Sequence, residues 1–262
     1  MLNKTVCITG ASRGIGRAIA CRFAKEGYNL ILNCHHSADL LEELKDELIR
    51  QYHCQILCFI GDVGEFSFVE QMIKESLATF KHIDILINNY GGTDVKQDFD
   101  VVKTDVQFFN ESLCTNINSV FLPVKYAVPH MPKGGSIVNI GSIGGYNPDL
   151  DRISYCISKA AIMSLTENIA TQYARQGIRC NCVMPGMIAT DALLNNMPQE
   201  FIDSFLKHVP LQRFGQPEDI TNATLFLASD AASFITGHCL PVAGGYKVPA
   251  PTYGDAAPKM TE

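Results

Sequence analysis

Short apolar, largely β-branched runs recur along the chain at residues 6–8, 30–32, 56–60, 83–87, 137–140, 178–183 and 239–242. Each reads as a strand, and most are continuously apolar instead of alternating, so both faces of the sheet they build are expected to be covered. Longer stretches with a helical period lie between them, at 17–25, 38–50, 68–80, 154–175 and 217–227. Strands alternating with helices long enough to cross the sheet predict an α/β fold, a doubly wound parallel sheet of about seven strands with helices on both faces. No internal repeat or low-complexity linker interrupts the order, so residues 1–246 read as a single domain. Residues 247–262 carry Pro249, Pro251 and Pro258 without any period and read as a proline-rich extended tail.

Length and composition agree with this picture: 262 residues at 47% hydrophobic content can bury a full core. A net charge of −6 leaves no broad basic surface for a phosphate backbone, which argues against nucleic-acid binding. Every apolar run stops well short of the roughly 20 residues that a bilayer-spanning helix requires, so no membrane partner is expected. The start Met1-Leu2-Asn3-Lys4 leads into the first strand without the features of a signal peptide, and a cytoplasmic protein is expected. The ten cysteines contain no Cys-x-x-Cys pair and the seven histidines no ligand spacing, so the thiols read as small packing groups and no metal site is expected. Small molecules or copies of the chain itself are the expected partners.

The first strand runs into Thr9-Gly10-Ala11-Ser12-Arg13-Gly14-Ile15-Gly16 and then a helix. Strand, glycine turn and helix in this order suit a dinucleotide pyrophosphate, because glycines let the backbone approach the phosphates and the free N–H groups at the helix start favour an anion. An acidic residue closing the second strand would accept the ribose hydroxyls of NAD. That segment reads Asn33-Cys34-His35-His36-Ser37, with no carboxylate. Arg13 carries a fixed charge able to meet an adenosine 2′-phosphate, with His35 or Ser37 as a second contact, so NADP(H) is expected over NAD(H); the alternative is that Arg13 is a solvated loop cation.

A Tyr-x-x-x-Lys match arises by chance about 0.4 times in a chain of this composition, so Tyr155 and Lys159 gain meaning from position. Both fall on the 154–175 helix, where i, i+4 spacing stacks them on one face. Reducing a ketone needs hydride at carbon and a proton at oxygen, and a neighbouring ammonium stabilises the phenolate left behind. Ser142 lies just beyond the fifth strand, at the edge where open α/β sheets hold ligands, and its hydroxyl is placed to hold a carbonyl; a loop-capping serine is the alternative. Gly-x-Ser-x-Gly is not matched, since Ile140 stands at the first position, which argues against a hydrolase. Asn116 interrupts a helical segment, where its type is more often a surface polar group.

Together the glycine loop, Asn88-Asn89-Tyr90-Gly91, Ser142, Tyr155-x-x-x-Lys159, Pro185-Gly186-Met187-Ile188-Ala189-Thr190 and Ala243-Gly244-Gly245 resemble the short-chain dehydrogenase/reductase family, over about residues 4–246. The resemblance implies a Rossmann-type fold and an alcohol–ketone oxidoreductase. It implies that Ser142 positions the carbonyl, Tyr155 is the acid/base, Lys159 binds ribose and eases ionisation of the phenol, and Asn116 supports a water-mediated proton relay. Gly10, Ser12, Arg13, Gly14, Ile15, Gly16, His35, Asp62, Val63, Asn89, Tyr155, Lys159, Ile188 and Thr190 would then hold the cofactor, with Asp62 and Val63 flanking the adenine. Ser142, Tyr155, Tyr90, Asn147 and Met187 would face the substrate, and a homotetramer is implied.

Tyr90 departs from the Asn-Asn-Ala-Gly of most members, which puts the pocket floor or the cofactor contacts in doubt. Yet Asn-Asn-Tyr-Gly-Gly-Thr, Asp151-Arg152-Ile153-Ser154-Tyr155-Cys156 and Pro251-Thr252-Tyr253 resemble the 7α-hydroxysteroid dehydrogenase branch of that family, which implies a steroid or bile acid as substrate. Met184, Met187, Leu193, Leu194 and Met197 would give such a bulky substrate an adaptable apolar wall, or else belong to the core. A 3-oxoacyl or general carbonyl reductase would carry the same catalytic residues, and a non-catalytic NADP-binding protein would be free to lose them.

Overall fold

The computed structural model describes residues 4–190 and 199–246. The expected tail, together with Leu193, Leu194 and Met197, lies outside the described residues. The chain alternates strand and helix: β1 (Thr5–Ile8), α1 (Gly14–Lys25), β2 (Asn29–Cys34), α2 (Ala38–Tyr52), β3 (Ile56–Ile60), α3 (Phe66–Phe80), β4 (Ile85–Asn88), α4 (Val106–Ala127), β5 (Ser136–Ile140), α5 (Ile153–Tyr173), β6 (Arg179–Pro185), α6 (Gln199–Leu206), α7 (Pro217–Ala228) and β7 (Cys239–Val242). Among the described residues the strands form one seven-stranded sheet in the order β3-β2-β1-β4-β5-β6-β7, and every neighbouring pair is parallel.

Continuous apolar strands follow from two cores. Val6, Ile8, Leu30, Leu32, Ile85, Ile87 and Val138 pack on one face with Ile19, Phe23, Leu41, Leu44 and Ile220 from α1, α2 and α7. Cys7, Ile31, Leu86, Ile137 and Cys180 pack on the other with Met72, Ile73, Val124 and Ile169 from α3, α4 and α5. Successive residues of one strand therefore serve opposite faces, which is why most of them are apolar. Cys7 is one of these packing groups, and burial pushes its thiol up to about 12.

The fourth strand starts two residues later than the apolar run suggested, because Ile83 packs into the core just ahead of the first β1–β4 pair, Val6 and Ile85. The crossover direction reverses between β1 and β4, so a crevice opens at their carboxyl ends. No helix among the described residues is long and apolar enough to cross a membrane.

Candidate active site

The glycine loop lies at the end of β1. Gly10 and Gly14 have φ of 65° and 55°, a region that other residues enter at a cost. A Cβ on Gly16 would collide with the Gly10 carbonyl oxygen, so the first turn of α1 presses directly on the loop. Arg13, the residue before α1, is extended and offers no side-chain cap, and the first turn carries no acidic residue. The N–H groups at the start of α1 are thus open to an external acceptor, and the cradle fits a pyrophosphate. Asn89 braces it from β4, its Nδ2 donating to the Thr9 and Gly10 carbonyls at 3.0 Å each. Asn33 braces it from β2, its Oδ1 accepting the Gly10 N–H at 3.4 Å while its Nδ2 donates to the carbonyls of Phe59 and Gly61 at 3.2 and 3.0 Å.

At the end of β2 the imidazoles of His35 and His36 stack with centroids 3.6 Å apart. Ser12, Arg13, His35, Ser37, Asn89, Tyr90 and Asn116 line a cleft of about 510 Å³ together with Asp94 and Glu111. Tyr90 does not join Asn147 and Met187. Its amide donates to the Thr9 hydroxyl at 3.1 Å, and its own hydroxyl lies 3.2 Å from His35 Nδ1. With its amide held at Thr9, Tyr90 lines the same cleft as Ser12, Arg13 and His35. Burial, and then the field of Asp62, raise the Tyr90 phenol above the ordinary tyrosine range, so it stays protonated. The Val63 side chain is buried in the core beside α3.

A second cleft, of about 290 Å³, gathers Arg13, Ile15, Gly16, Asn89, Ser142, Tyr155, Lys159, Ile188 and Thr190. Lys159 is buried on α5, donates from Nζ to the Ile140 carbonyl at 3.2 Å, and sits 5.6 Å from the centre of the Tyr155 ring. The Arg152 guanidinium stands at the same distance from that ring, paired with Asp149. Ser142 Oγ accepts the Gly144 N–H at 3.0 Å, so the hydroxyl is a loop cap that retains its own proton for a further acceptor. Asn116 is buried on α4, not on its surface: Oδ1 accepts from the Gly92 N–H and Nδ2 donates to the Gly92 and Ser112 carbonyls, all at 2.9 Å. A Cβ on Gly91 would fall 2.9 Å from Asn116 Oδ1 and 3.3 Å from Lys159 Nζ, so a glycine keeps these two groups near each other.

Sequence reasoning missed Asp98. Its carboxylate is fully buried and accepts the amides of Ser154 and Tyr155 at 2.9 and 3.0 Å and the Thr93 hydroxyl at 2.7 Å. Partners 56 and 57 residues away leave no local signal, since no periodicity or motif links the segment after β4 to the start of α5.

A third cavity, of about 580 Å³, opens beside Ser142 and Tyr155 and includes Asn147, Leu150, Met187, Phe205 and Tyr246. Phe205, from α6, meets the Tyr246 ring at a tilt of 31° with centroids 5.1 Å apart, and both line the cavity. Met184 belongs to the core, buried with Val120 and Ile162, whereas Met187 lines the cavity. The volume suits a drug-sized molecule.

A dinucleotide cradle, a Tyr–Lys pair on one helix, and a serine at the same crevice define a nicotinamide-dependent oxidoreductase of Rossmann-type fold. The family model described as enoyl-(acyl carrier protein) reductase matches residues 10–247, and the chain belongs to the short-chain dehydrogenase/reductase family. It is 47% identical over 266 residues, 98% of each chain, to a 7α-hydroxysteroid dehydrogenase of Clostridium sardiniense. It is 36% identical to a 3-oxoacyl-(acyl-carrier-protein) reductase of Staphylococcus epidermidis, over 93% of this chain and 99% of that one. Among solved structures it is similar to YwfH, an NADPH-dependent reductase involved in bacilysin biosynthesis, with a TM-score of 0.88 and 25% identity over 95% of this chain and all of the other.

Proposed function

We propose that this chain is an NADP(H)-dependent dehydrogenase that interconverts a secondary alcohol and a ketone, with the 7α-hydroxyl and 7-oxo group of bile acids as its substrate pair. The observation that carries the reading is the apolar cavity of Leu150, Met187, Phe205 and Tyr246 opening onto Ser142 and Tyr155, in a chain 47% identical to a 7α-hydroxysteroid dehydrogenase. Burying a rigid apolar ring system against such walls favours it over a small polar ketone.

In this reading Gly10, Ser12, Gly14, Ile15 and Gly16 hold the pyrophosphate, Asp62 and Val63 flank the adenine, and Asn89, Ile188 and Thr190 line the nicotinamide side. Arg13 and His35 meet an adenosine 2′-phosphate, which supports NADP(H) over NAD(H); NADPH dependence in a relative of the same fold adds to this. A nicotinamide held there would supply the hydride for reduction and accept it in oxidation. Ser142 donates a hydrogen bond from its hydroxyl to the substrate oxygen, keeping its proton, and so fixes that oxygen. Tyr155 gives its phenolic proton to that oxygen during reduction and takes it back during oxidation, while Lys159 holds ribose hydroxyls and stabilises the phenolate. Asn116 supports a water that returns the proton to solvent. Asn147 and Met187 contact the substrate. The reading extends to a cytoplasmic homotetramer, with the exposed Phe121 of α4 and Ile157 of α5 available for packing between copies.

Cholic acid with NADP⁺ is tested beside acetoacetyl thioester with NADPH. Turnover of cholic acid supports the reading; turnover of the thioester alone replaces it with the 3-oxoacyl reductase reading, which the 36% identical relative favours. Repeating the active pair with NAD(H) tests the cofactor, and a higher kcat/KM with NAD(H) overturns that part.

A further inference from the structure

The helix that carries Tyr155 and Lys159 begins without a cap of its own. Arg152, the residue before α5, is in the left-handed region, with φ of 63° and ψ of 42°, and its guanidinium is turned to Asp149. The first amides of a helix lack partners within it, and a catalytic residue in the first turn is only as well placed as that turn. Here the partners come from the segment after β4, which begins with the dinucleotide-side residues Asn89, Tyr90 and Gly91.

The Asp98 carbonyl accepts the Arg152 N–H at 3.0 Å and the Phe99 carbonyl accepts the Ile153 N–H at 3.2 Å. Asp98 Oδ1 takes the Ser154 N–H at 2.9 Å, and Oδ2 takes the Tyr155 N–H at 3.0 Å together with the Thr93 hydroxyl at 2.7 Å. The amides of Arg152 and of the first three residues of the catalytic helix are thus satisfied by two neighbouring residues of another segment. The Ser154 hydroxyl extends the contact by donating to Ser112 Oγ at 3.0 Å, and the Ser112 carbonyl in turn accepts from Asn116 Nδ2.

We propose that Asp98 is a positioning residue for Tyr155: its carboxylate supplies the missing cap of α5 and fixes the phenol relative to Ser142 and the dinucleotide crevice. It touches no reacting atom. A carboxylate suits the task because it is an anion at the positive end of the helix and because both of its oxygens accept, whereas an amide offers one acceptor and one donor that would face an N–H. The position matters to rate, since a misplacement of about 1 Å at a reacting group is enough to cost on the order of 10²-fold.

The test uses the full chain and whichever substrate pair the wild type turns over, cholic acid or acetoacetyl thioester, so it does not depend on which reading of the substrate holds. Asp98→Asn, assayed below its own melting temperature, is expected to lower kcat by about ten-fold or more. Its NADPH dissociation constant, read by nucleotide fluorescence, is expected to stay within about two-fold, because the cradle at Gly10 to Gly16 is untouched. A merely structural role would lower both together. Thr93→Val removes one donor and leaves the cap itself, and a fall in kcat of about two- to five-fold is expected. The proposal is overturned if folded Asp98→Asn keeps kcat within two-fold, or loses NADPH affinity in proportion to kcat. Should Asp98→Asn fail to fold, unchanged kcat in Thr93→Val overturns it.

Discussion

Lys159 Nζ donates to the Ile140 carbonyl at 3.2 Å while standing 5.6 Å from the centre of the Tyr155 ring, so one ammonium ties the catalytic helix to the end of the strand that leads into Ser142. Loss of the phenolic proton and loss of this tie should have different consequences. Tyr155→Phe keeps the ring and removes the acid/base, so turnover should fall by about 10²- to 10⁴-fold with NADPH binding nearly intact. Lys159→Ala should damage both. Steady-state rates and nucleotide fluorescence titrations separate the two, and near-normal turnover by Tyr155→Phe would remove the mechanism.

Tyr90 and His35 meet across the crevice at 3.2 Å. In the tautomer that lets the phenol donate to Nδ1, the imidazole proton sits on Nε2, open to an anionic oxygen. In Tyr90→Phe that hold is lost, and a net hydrogen-bond contribution of about 1 kcal/mol translates to roughly five-fold in kcat/KM for NADPH. NADH, which lacks the 2′-phosphate, should show little change. Equal losses with both nucleotides would count against the contact as a source of cofactor preference.

Gly16 is the tightest point of the cradle, since a Cβ there meets both the Gly10 carbonyl and, at 2.6 Å, Asn89 Nδ2. Backbone on one side and a doubly bonded amide on the other leave little room to yield. Gly16→Ala should therefore cost on the order of 1–3 kcal/mol and weaken NADPH binding, despite the better helix propensity of alanine. Thermal melting and fluorescence titration read the two effects; a variant as stable and as tight as the parent would show that the close approach is dispensable.

Asp98 also predicts a pH dependence. Burial works against its charge, but the donors from Thr93, Ser154 and Tyr155 overcome it and hold its carboxyl below the usual carboxylate range. A folded-state value below that of the unfolded chain, about 3.9, means stabilisation that is complete above that pH and lost as pH falls through the lower native value. The gap in Tm between the wild type and Asp98→Asn should accordingly be wide at pH 7 and narrow at about pH 3. A gap that widens on acidification would contradict the sign.

Much of the architecture was legible because a parallel sheet buried on both faces writes itself as unbroken apolar runs, and all seven of them became strands. The dinucleotide cradle was legible for a different reason: Gly10, Gly14 and Gly16 act on backbone within a few residues of themselves. Asn116 reads from sequence as a surface helix residue, and only the fold of residues 91–92 against α4 shows why an amide is buried there. Tyr90 was legible as an oddity but not in direction, since its partner His35 is 55 positions away, just past the end of another strand. The third cavity drew on residues 142–152, Met187, Phe205 and Tyr246, whose proximity is a product of the whole topology.

The parallel order of the sheet has a kinetic side. Every strand pair joins segments separated by a crossover, and the crevice needs β1 and β4 side by side, a pairing with β2 and β3 between them in the chain. Loop entropy is spent before those long-range pairings return it, so refolding should be slow, with competent protein appearing after much of the helix content. Recovery of turnover should trail recovery of the far-ultraviolet signal after dilution from denaturant, and simultaneous recovery would show that the crevice forms early.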